Sequence, residues 1–213
     1  MDEGRGFRRP RRGGEPNPLP GMPDLLEAAI DEFSRKSFEE ASLNAILKAA
    51  GVNKGSFYHR FADKLDLYLC MADVISQAKL AQLAAARRGA TYPAGFFERV
   101  RFLAGLGLAF ARSEPRYYAL SMRFPSESAA VRRAVSEALP GGGRDSLRDL
   151  VDAAHAAGEF RPSLPKAFVH DVVALLFRHL DALVPAEATE DDVARVLDHL
   201  VDTLEHGLAA RAP

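Results

Sequence analysis

Apolar residues recur at helical spacing along most of this chain, and that pattern limits the folds it can adopt. After Pro23, the residues Leu26, Ala29, Ile30 and Phe33 follow one another at intervals of three, one and three. Such spacing places the side chains on one face of an α-helix. No segment of useful length alternates with the two-residue period of a β-strand. The sequence therefore predicts an all-α fold.

Size and composition are those of a globular protein. The chain has 213 residues, of which 47% are hydrophobic and 27% charged, enough to build a core in one large domain or two small ones. Its single cysteine, Cys70, excludes a disulfide framework, and its apolar surroundings (LYLCMA) predict that it is buried. No apolar run approaches the roughly 18 residues that span a bilayer, and no hydrophobic secretory signal opens the sequence. We expect a cytoplasmic protein without a membrane partner.

Capping residues and helix breakers divide the chain into predicted helices. In the N-terminal part, five residues are predicted to begin or end helices: Asp24, Ser42, Gly51, Asn53 and Asp63. The fourth helix is expected to run to about Arg88. The later predicted helices cover 93–113, 115–124, 126–157 with an interruption at PGGGR, 166–184 and 190–209. Thr189 and Asp192 resemble a capping box at the start of the last one.

Residues 1–23 form a basic segment that is rich in glycine, proline and arginine. Five arginines fall within it: Arg5, Arg8, Arg9, Arg11 and Arg12. The segment carries too little apolar surface to order itself, so we predict a disordered arm. Two interpretations remain open at this point. The arm either follows DNA phosphates or a minor groove, or it is a leader without a role.

The stretch from residue 42 to residue 60 has the pattern of a helix-turn-helix. A first helix over 42–50, a glycine turn at 51–52 and a short second helix over 53–60 match that motif, whose second helix enters the DNA major groove. Val52, Phe57 and Phe61 can point into a core. The residues left facing outward are polar, small or basic: Lys54, Gly55, Ser56, Tyr58 and His59.

This outward set is chemically suited to DNA. Gly55 lets the backbone approach a groove wall, and the helix N-termini capped by Ser42 and Asn53 favour phosphate. Ser56 and His59 can hydrogen-bond base edges, while the Tyr58 hydroxyl can bind a phosphate. Residues 41–64 contain four basic residues and one acidic residue, although the whole chain has a net charge of -1.

The stretch SLNAILKAAGVNKGSFYHRFADKLDL, with the preceding LLEAAIDEFSRKSFEEAS, resembles the DNA-binding unit of TetR-family transcriptional regulators over about residues 24–70. The resemblance implies that Ser42 and Tyr58 contact phosphate and that Lys54, Ser56 and His59 vary or read bases. It places Lys64, the lysine at the start of the fourth helix, in the DNA-binding set as well. Asn53 departs from the family's usual Ser or Pro. The implied domains are a helix-turn-helix domain at 24–68 and an effector-binding and dimerisation domain at 69–213.

The two last predicted helices are candidates for a dimer interface. A small DNA-binding domain makes twice as many DNA contacts when two copies bind the two half-sites of an operator. The resemblance implies that these helices pair with those of a second copy, whereas their apolar stripes could also simply close the monomer's core. The interface residues expected from this reasoning are Val172, Leu176, Leu180, Val193, Leu197, Leu200 and Leu204.

Residues 96–124 are rich in aromatic side chains, which predicts either a close-packed core or a cavity for an apolar effector within that core. The expected effector-pocket residues are Phe102, Leu106, Phe110, Tyr117, Tyr118, Met122 and His155.

Catalytic and metal motifs are missing from the sequence. It has no nucleophile elbow, no HExxH and no phosphate-binding glycine loop, and PGGG at 140–143 lacks the lysine such a loop needs. His199, Asp202 and His206 share a helical face, but such residues are more often solvent-facing than metal ligands. We expect no enzyme activity, no metal and no other cofactor.

The expected function is a homodimeric regulator, typically a repressor, that a small and largely apolar effector releases from a palindromic operator in double-stranded DNA. The alternative is a helical small-molecule-binding protein without an operator.

Overall fold

A computed structural model describes residues 7–89, 92–139, 144–178 and 189–209. These residues form ten α-helices and no strand, which confirms the all-α prediction; Phe160 and Ala209 make an isolated antiparallel bridge. The helices are α1 Pro23–Arg35, α2 Leu43–Ala49, α3 Lys54–Arg60, α4 Lys64–Gly89, α5 Phe96–Ser113, α6 Pro115–Arg123, α7 Ala129–Ala138, α8 Arg144–Ala156, α9 Lys166–Arg178 and α10 Glu190–Leu208.

The chain divides into two compact units. The first consists of Met1–Gln82 and Phe110–Gly142, and the second of Leu83–Ala109 and Gly143–Pro213. The domain boundary expected at residue 68 therefore falls inside α4 and inside the first unit. One reason is that α6 packs on α1, where Arg116 pairs with Glu27 at 2.6 Å and with Asp31 at 3.3 Å.

The core of the first unit is built on the apolar stripe of α1. Leu25, Ala29, Ile30 and Phe33 are buried there together with residues of α2, α3 and α4. Phe33 meets the ring of Tyr68 edge-on at a centroid distance of 4.9 Å. Cys70 lies in the same core, as the sequence predicted, and burial raises the pKa of its thiol to about 12. This thiol is protonated at neutral pH and is not a nucleophile.

The second unit has its own core. Phe96, Phe97 and Phe160 pack edge-on at centroid distances of 5.0 to 6.1 Å. The backbone N–H of Arg161 donates to the Leu208 carbonyl at 2.8 Å, which fixes the break after α8 against the end of α10. The capping box at the start of α10 is confirmed: Thr189 and Asp192 satisfy each other's backbone N–H groups.

Two details of the predicted elements need correction. Helix α1 begins at Pro23, with Met22 as its N-cap, so Asp24 lies in the first turn and is not the cap. Proline suits the first helical position because its fixed φ is already helical. Helix α5 begins at Phe96 instead of residue 93. The interruption in 126–157 agrees with the gap between α7 and α8, although its residues 140–143, like 179–184 of the next predicted helix, lie outside the described residues.

The predicted disorder of the basic segment is wrong for residues 7–22. They follow a defined path with 3-10 turns at Pro10–Arg12 and Leu19–Gly21, and Arg9 and Leu19 are buried. The segment has little apolar surface, but its charged and polar side chains make ordered contacts with α3 and α4. We name residues 7–22 the N-terminal strap.

None of the described helices combines the length and the apolar character that a membrane crossing requires.

Candidate nucleic-acid interface

Helix α2 begins and ends at the residues that the sequence predicted, Ser42 and Gly51. The Ser42 hydroxyl accepts from the Ala45 N–H at 3.3 Å, and the Ser42 N–H donates to the Glu32 carboxylate at 2.9 Å. Gly51 has a φ of 65°, and the Val52 N–H donates to the Leu47 carbonyl at 3.0 Å. This is a Schellman motif with glycine in the left-handed position, and it sets the angle between α2 and α3.

Helix α3 is capped as predicted and anchored by its aromatic residues. The Asn53 side-chain oxygen accepts from the Ser56 N–H at 2.8 Å. Phe57 and Phe61 are fully buried and stack at a centroid distance of 5.1 Å. Gly55 has a local role that the sequence did not reveal, because a Cβ there would lie 3.3 Å from the Asn53 side-chain oxygen. Glycine thus leaves room for the cap.

The opposite face of α3 is open to solvent. Lys54, Gly55, Ser56, Tyr58 and His59 are all exposed, and Tyr58 keeps 53% of its surface accessible. The Tyr58 ring packs edge-on against Phe57 at a centroid distance of 5.2 Å. The structure therefore brings the predicted polar and basic residues of α3 together on one exposed face.

Lys64 has partners other than those expected. Its ammonium donates to the carbonyls of Phe38 at 2.6 Å, Ala41 at 2.9 Å and Glu39 at 3.4 Å, and it lies 4.5 Å from the centre of the Phe38 ring. An ammonium has three donors, so these carbonyls use all of them. In this structure Lys64 joins the start of α4 to the α1–α2 connection and has no donor left for a phosphate.

The expected effector-pocket residues are distributed over both units. Phe110, Tyr117, Tyr118 and Met122 belong to the first unit, where Phe110 is buried and Met122 is 45% exposed. Phe102, Leu106 and His155 belong to the second unit, and His155 is exposed.

Lys79 is a residue of the first unit that the sequence reasoning missed. Its ammonium donates to the Ser121 hydroxyl at 2.7 Å and lies 5.4 Å from the centre of the Phe110 ring. The residue keeps an exposed surface, yet burial lowers the pKa of its ammonium, so this group has lost part of its hydration. No ion pair among the described residues includes Lys79. In the sequence, Lys79 is marked only by its position on the predicted fourth helix, which precedes the helices rich in aromatic residues.

The residues expected at a dimer interface are mostly sheltered within the second unit. Leu197, Leu200 and Leu204 are buried, and Val172 and Leu176 pack against the core; Val193 is half-buried, and Leu180 lies outside the described residues. The large exposed apolar side chains of α9 are instead Phe168, at 50%, and Leu175, at 53%. They are seven residues apart and so share one face of the helix.

Comparisons with known proteins agree with this geometry. The family model described as bacterial regulatory proteins, tetR family, matches residues 25–71. The transcriptional regulator AcuR of Cereibacter sphaeroides is 36% identical over 69 residues, which are 31% of this chain and 32% of AcuR. The matched segment thus spans about a third of that curated relative.

Solved structures extend the likeness to most of the chain. A TetR-family transcriptional regulator from Chloroflexus aurantiacus is 25% identical, with a TM-score of 0.66, covering 91% of this chain and 95% of its own. The regulator FadR from Bacillus subtilis, solved in complex with stearoyl-CoA, has a TM-score of 0.65 at 14% identity, covering 86% and 97% of the two chains.

The fold and the interface define an all-helical protein whose N-terminal unit carries a helix-turn-helix. The match to residues 25–71 lies on that motif, and the fold likeness continues through both units. Residues 25–71 thus match the TetR family of bacterial regulatory proteins, and the fold resembles that of a TetR-family regulator over most of the chain.

Proposed function

We propose that this protein is a DNA-binding transcriptional regulator that acts as a repressor on a palindromic operator. The observation that carries the proposal is the exposed face of α3. Polar and basic side chains lie on this face: Lys54, Ser56, Tyr58 and His59. The buried rings of Phe57 and Phe61 anchor the helix in the core. A short helix held rigidly by its buried side can present its polar side to a DNA groove at little entropic cost.

The residues of this face divide into two roles. Ser56 and His59 have hydrogen-bonding groups that suit base edges in the major groove. Tyr58 and Lys54 suit phosphates, which position the helix without reading sequence. Ser42 and Asn53 cap α2 and α3, and the first-turn backbone N–H groups of these helices that the caps leave free add to the phosphate contacts.

We propose that the regulator is a homodimer that pairs through α9. Phe168 and Leu175 form an exposed apolar pair on this helix, and large exposed apolar residues on one helical face are typical of an interaction surface. A dimer places two α3 helices on half-sites one helical turn, about 34–36 Å, apart. The operator is then palindromic because the protein has two-fold symmetry.

The effector is proposed to be largely apolar with one acidic group. Phe110 and Tyr117 supply aromatic surface, and the Lys79 ammonium supplies a cation without an acidic partner among the described residues. FadR, which shares the fold, was solved with a fatty-acyl ligand, so this fold can hold such a molecule. The effector acts by preferring one of two conformers, and a tenfold change in operator affinity needs about 1.4 kcal/mol of preference.

Lys79→Met provides a test of the acidic group. The variant should lose its response to carboxylate-bearing effectors in an operator-release assay, while Leu80→Met on the same helix should keep it. Equal responses of the two variants would remove Lys79 from the effector site.

Binding to the protein's own upstream DNA tests the function itself. Full-length protein should shift a duplex from the region upstream of its gene at a concentration that leaves a scrambled duplex of equal length and composition free. Equal affinity for both duplexes would contradict operator recognition. Binding of small molecules together with indifference to DNA would favour a helical ligand-binding protein instead.

A further inference from the structure

We propose that the N-terminal strap, residues 7–22, holds the carboxyl end of the recognition helix α3 in its DNA-reading position, with Arg12 and Arg9 as the positioning residues. The strap lies outside the segment 25–71 that the family model matches. The inference rests on the proposed function for its DNA readout, but the contacts themselves are within the first unit.

Arg12 caps the end of α3. Its guanidinium donates to the carbonyls of Tyr58, at 3.1 Å, and His59. The last carbonyls of a helix have no partner within the helix, and a cation next to them is also favoured by the helix dipole. Because this helix has only seven residues, two satisfied carbonyls are a large share of its end. The same two residues carry side chains on the proposed DNA face.

Arg9 binds the turn that follows. Its guanidinium forms a two-pronged pair with the Asp66 carboxylate and donates to the Arg60 carbonyl at 2.6 Å. Both charged side chains are shielded from water, with 2% and 0% of their surface exposed. Asp66 also accepts from the Ala62 N–H at 2.9 Å. A single buried ion pair therefore joins the strap, the α3–α4 corner and α4.

The Asp66 carboxylate favours the charged form of the Arg9 guanidinium. Burial alone would lower the pKa of Arg9, but the hydrogen bond with Asp66 and the charges around it outweigh that effect and raise the pKa. Loss of one partner would leave the other as an uncompensated buried charge, so the pair selects one arrangement of strap and corner.

A second anchor fixes the strap further along α4. The Asn17 side-chain amide donates to the Cys70 carbonyl and to the Asp73 carboxylate, both at 2.8 Å. Its oxygen accepts from the Leu19 N–H at 2.9 Å, and Leu19 is completely buried. With anchors at Asp66 and at Asp73, the strap spans two turns of α4 and ties α3 to that helix.

These contacts favour a role that neither interpretation of the sequence included. An arm that follows DNA needs free arginines, whereas Arg9, Arg11 and Arg12 bind Asp66, Asp63 and α3 carbonyls in this structure. Arg8 is exposed and has no ion pair among the described residues. The strap therefore acts on DNA binding through α3, and a movement of α4 that carries the strap would also carry the reading helix.

The test compares Arg12→Gln with Arg8→Gln in the full-length protein. The two variants remove the same charge from positions four residues apart, but of these two residues only Arg12 contacts α3. Amide hydrogen exchange, measured without DNA, should become about tenfold faster at the end of α3 in Arg12→Gln, the size expected for losing a charge-assisted hydrogen bond, and unchanged in Arg8→Gln. Unchanged exchange in Arg12→Gln would overturn the proposal whether or not the protein binds an operator.

Operator affinity is then measured over a range of salt concentrations. Arg12→Gln should weaken operator binding about tenfold with an unchanged salt dependence, because the residue contacts no phosphate. Arg12→Lys should recover part of the affinity, since a cation near the helix end is retained. A salt slope smaller by about one in Arg12→Gln would mean that Arg12 binds phosphate directly and would overturn the positioning role. Failure of the wild type to bind DNA would contradict the proposed function but leave the exchange result standing.

Discussion

The ammonium of Lys64 donates to the carbonyl of Phe38 at 2.6 Å, across 26 residues of sequence. The Phe38 N–H in turn donates to the buried Glu127 carboxylate at 3.0 Å. Both polar backbone groups of Phe38 are therefore satisfied by side chains from distant parts of the first unit. Lys64, at the start of α4, thus anchors the connection between α1 and α2 and helps to fix the position of α2.

Substitution of Lys64 should reduce stability without altering the salt dependence of DNA binding. Lys64→Met removes hydrogen bonds from a charged group to carbonyls of which two are partly buried, so the free energy of unfolding should fall by about 1–3 kcal/mol. Lys54→Met is the matched control: it should leave stability unchanged and reduce the salt slope of DNA binding by about one. Urea unfolding and salt titrations of binding measure the two effects. If Lys64→Met instead leaves stability unchanged and reduces the salt slope by about one, Lys64 binds phosphate.

Gly51 should not tolerate a side chain. Its φ of 65° is a left-handed conformation, so Gly51→Ala should lower the free energy of unfolding by about 1 kcal/mol, although the added Cβ would meet no atom within 4 Å. Gly105→Ala is the control, because this glycine also has open space around it but lies inside α5 with ordinary helical φ. That variant should be stabilised by about 1 kcal/mol. Equal effects of the two substitutions would show that backbone strain at Gly51 is unimportant.

Substitutions of Tyr58 and of His59 should weaken DNA binding in different ways. Tyr58→Phe removes a hydroxyl proposed to bind phosphate, so it should weaken binding to operator and to random DNA by the same factor. His59→Ala should weaken operator binding alone, by about 1–3 kcal/mol if a base contact is lost. Fluorescence anisotropy with both duplexes gives the four affinities. If His59→Ala lowers both equally, His59 does not read bases.

The exposed apolar pair on α9 should hold the dimer together. The double substitution Phe168→Asp and Leu175→Asp places two charges on this face, and the variant should sediment as a monomer where the wild type sediments as a dimer. Leu80→Asp changes a residue of α4 that is equally exposed, at 53%, and should leave the dimer intact. A dimer that survives the double substitution would move the interface away from this face of α9.

The sequence predicted the helix-turn-helix well because its determinants are local. The caps at Ser42 and Asn53, the left-handed Gly51 and the inward Phe57 depend on neighbours a few residues away. The path of the strap could not be predicted, since Arg9 meets Asp66 across 57 residues and composition carries no sign of that pairing.

The same limit applies to the helices of the second unit. Periodicity identifies an apolar face, but it does not show whether the same chain or a second copy covers it. Leu204, expected at the dimer interface, is 4% exposed in the single chain, whereas Phe168, which was not selected, is 50% exposed. Only the packing of α9 and α10 distinguishes the two cases.

The most direct test of the account is methylation interference on the upstream duplex with full-length protein. Dimethyl sulfate modifies guanine N7 in the major groove and adenine N3 in the minor groove. We predict that methylated guanines abolish binding in two symmetric clusters whose centres lie one helical turn, about 10 base pairs, apart. Interference at adenines alone, or no interference at any position, would contradict the placement of α3 in the major groove.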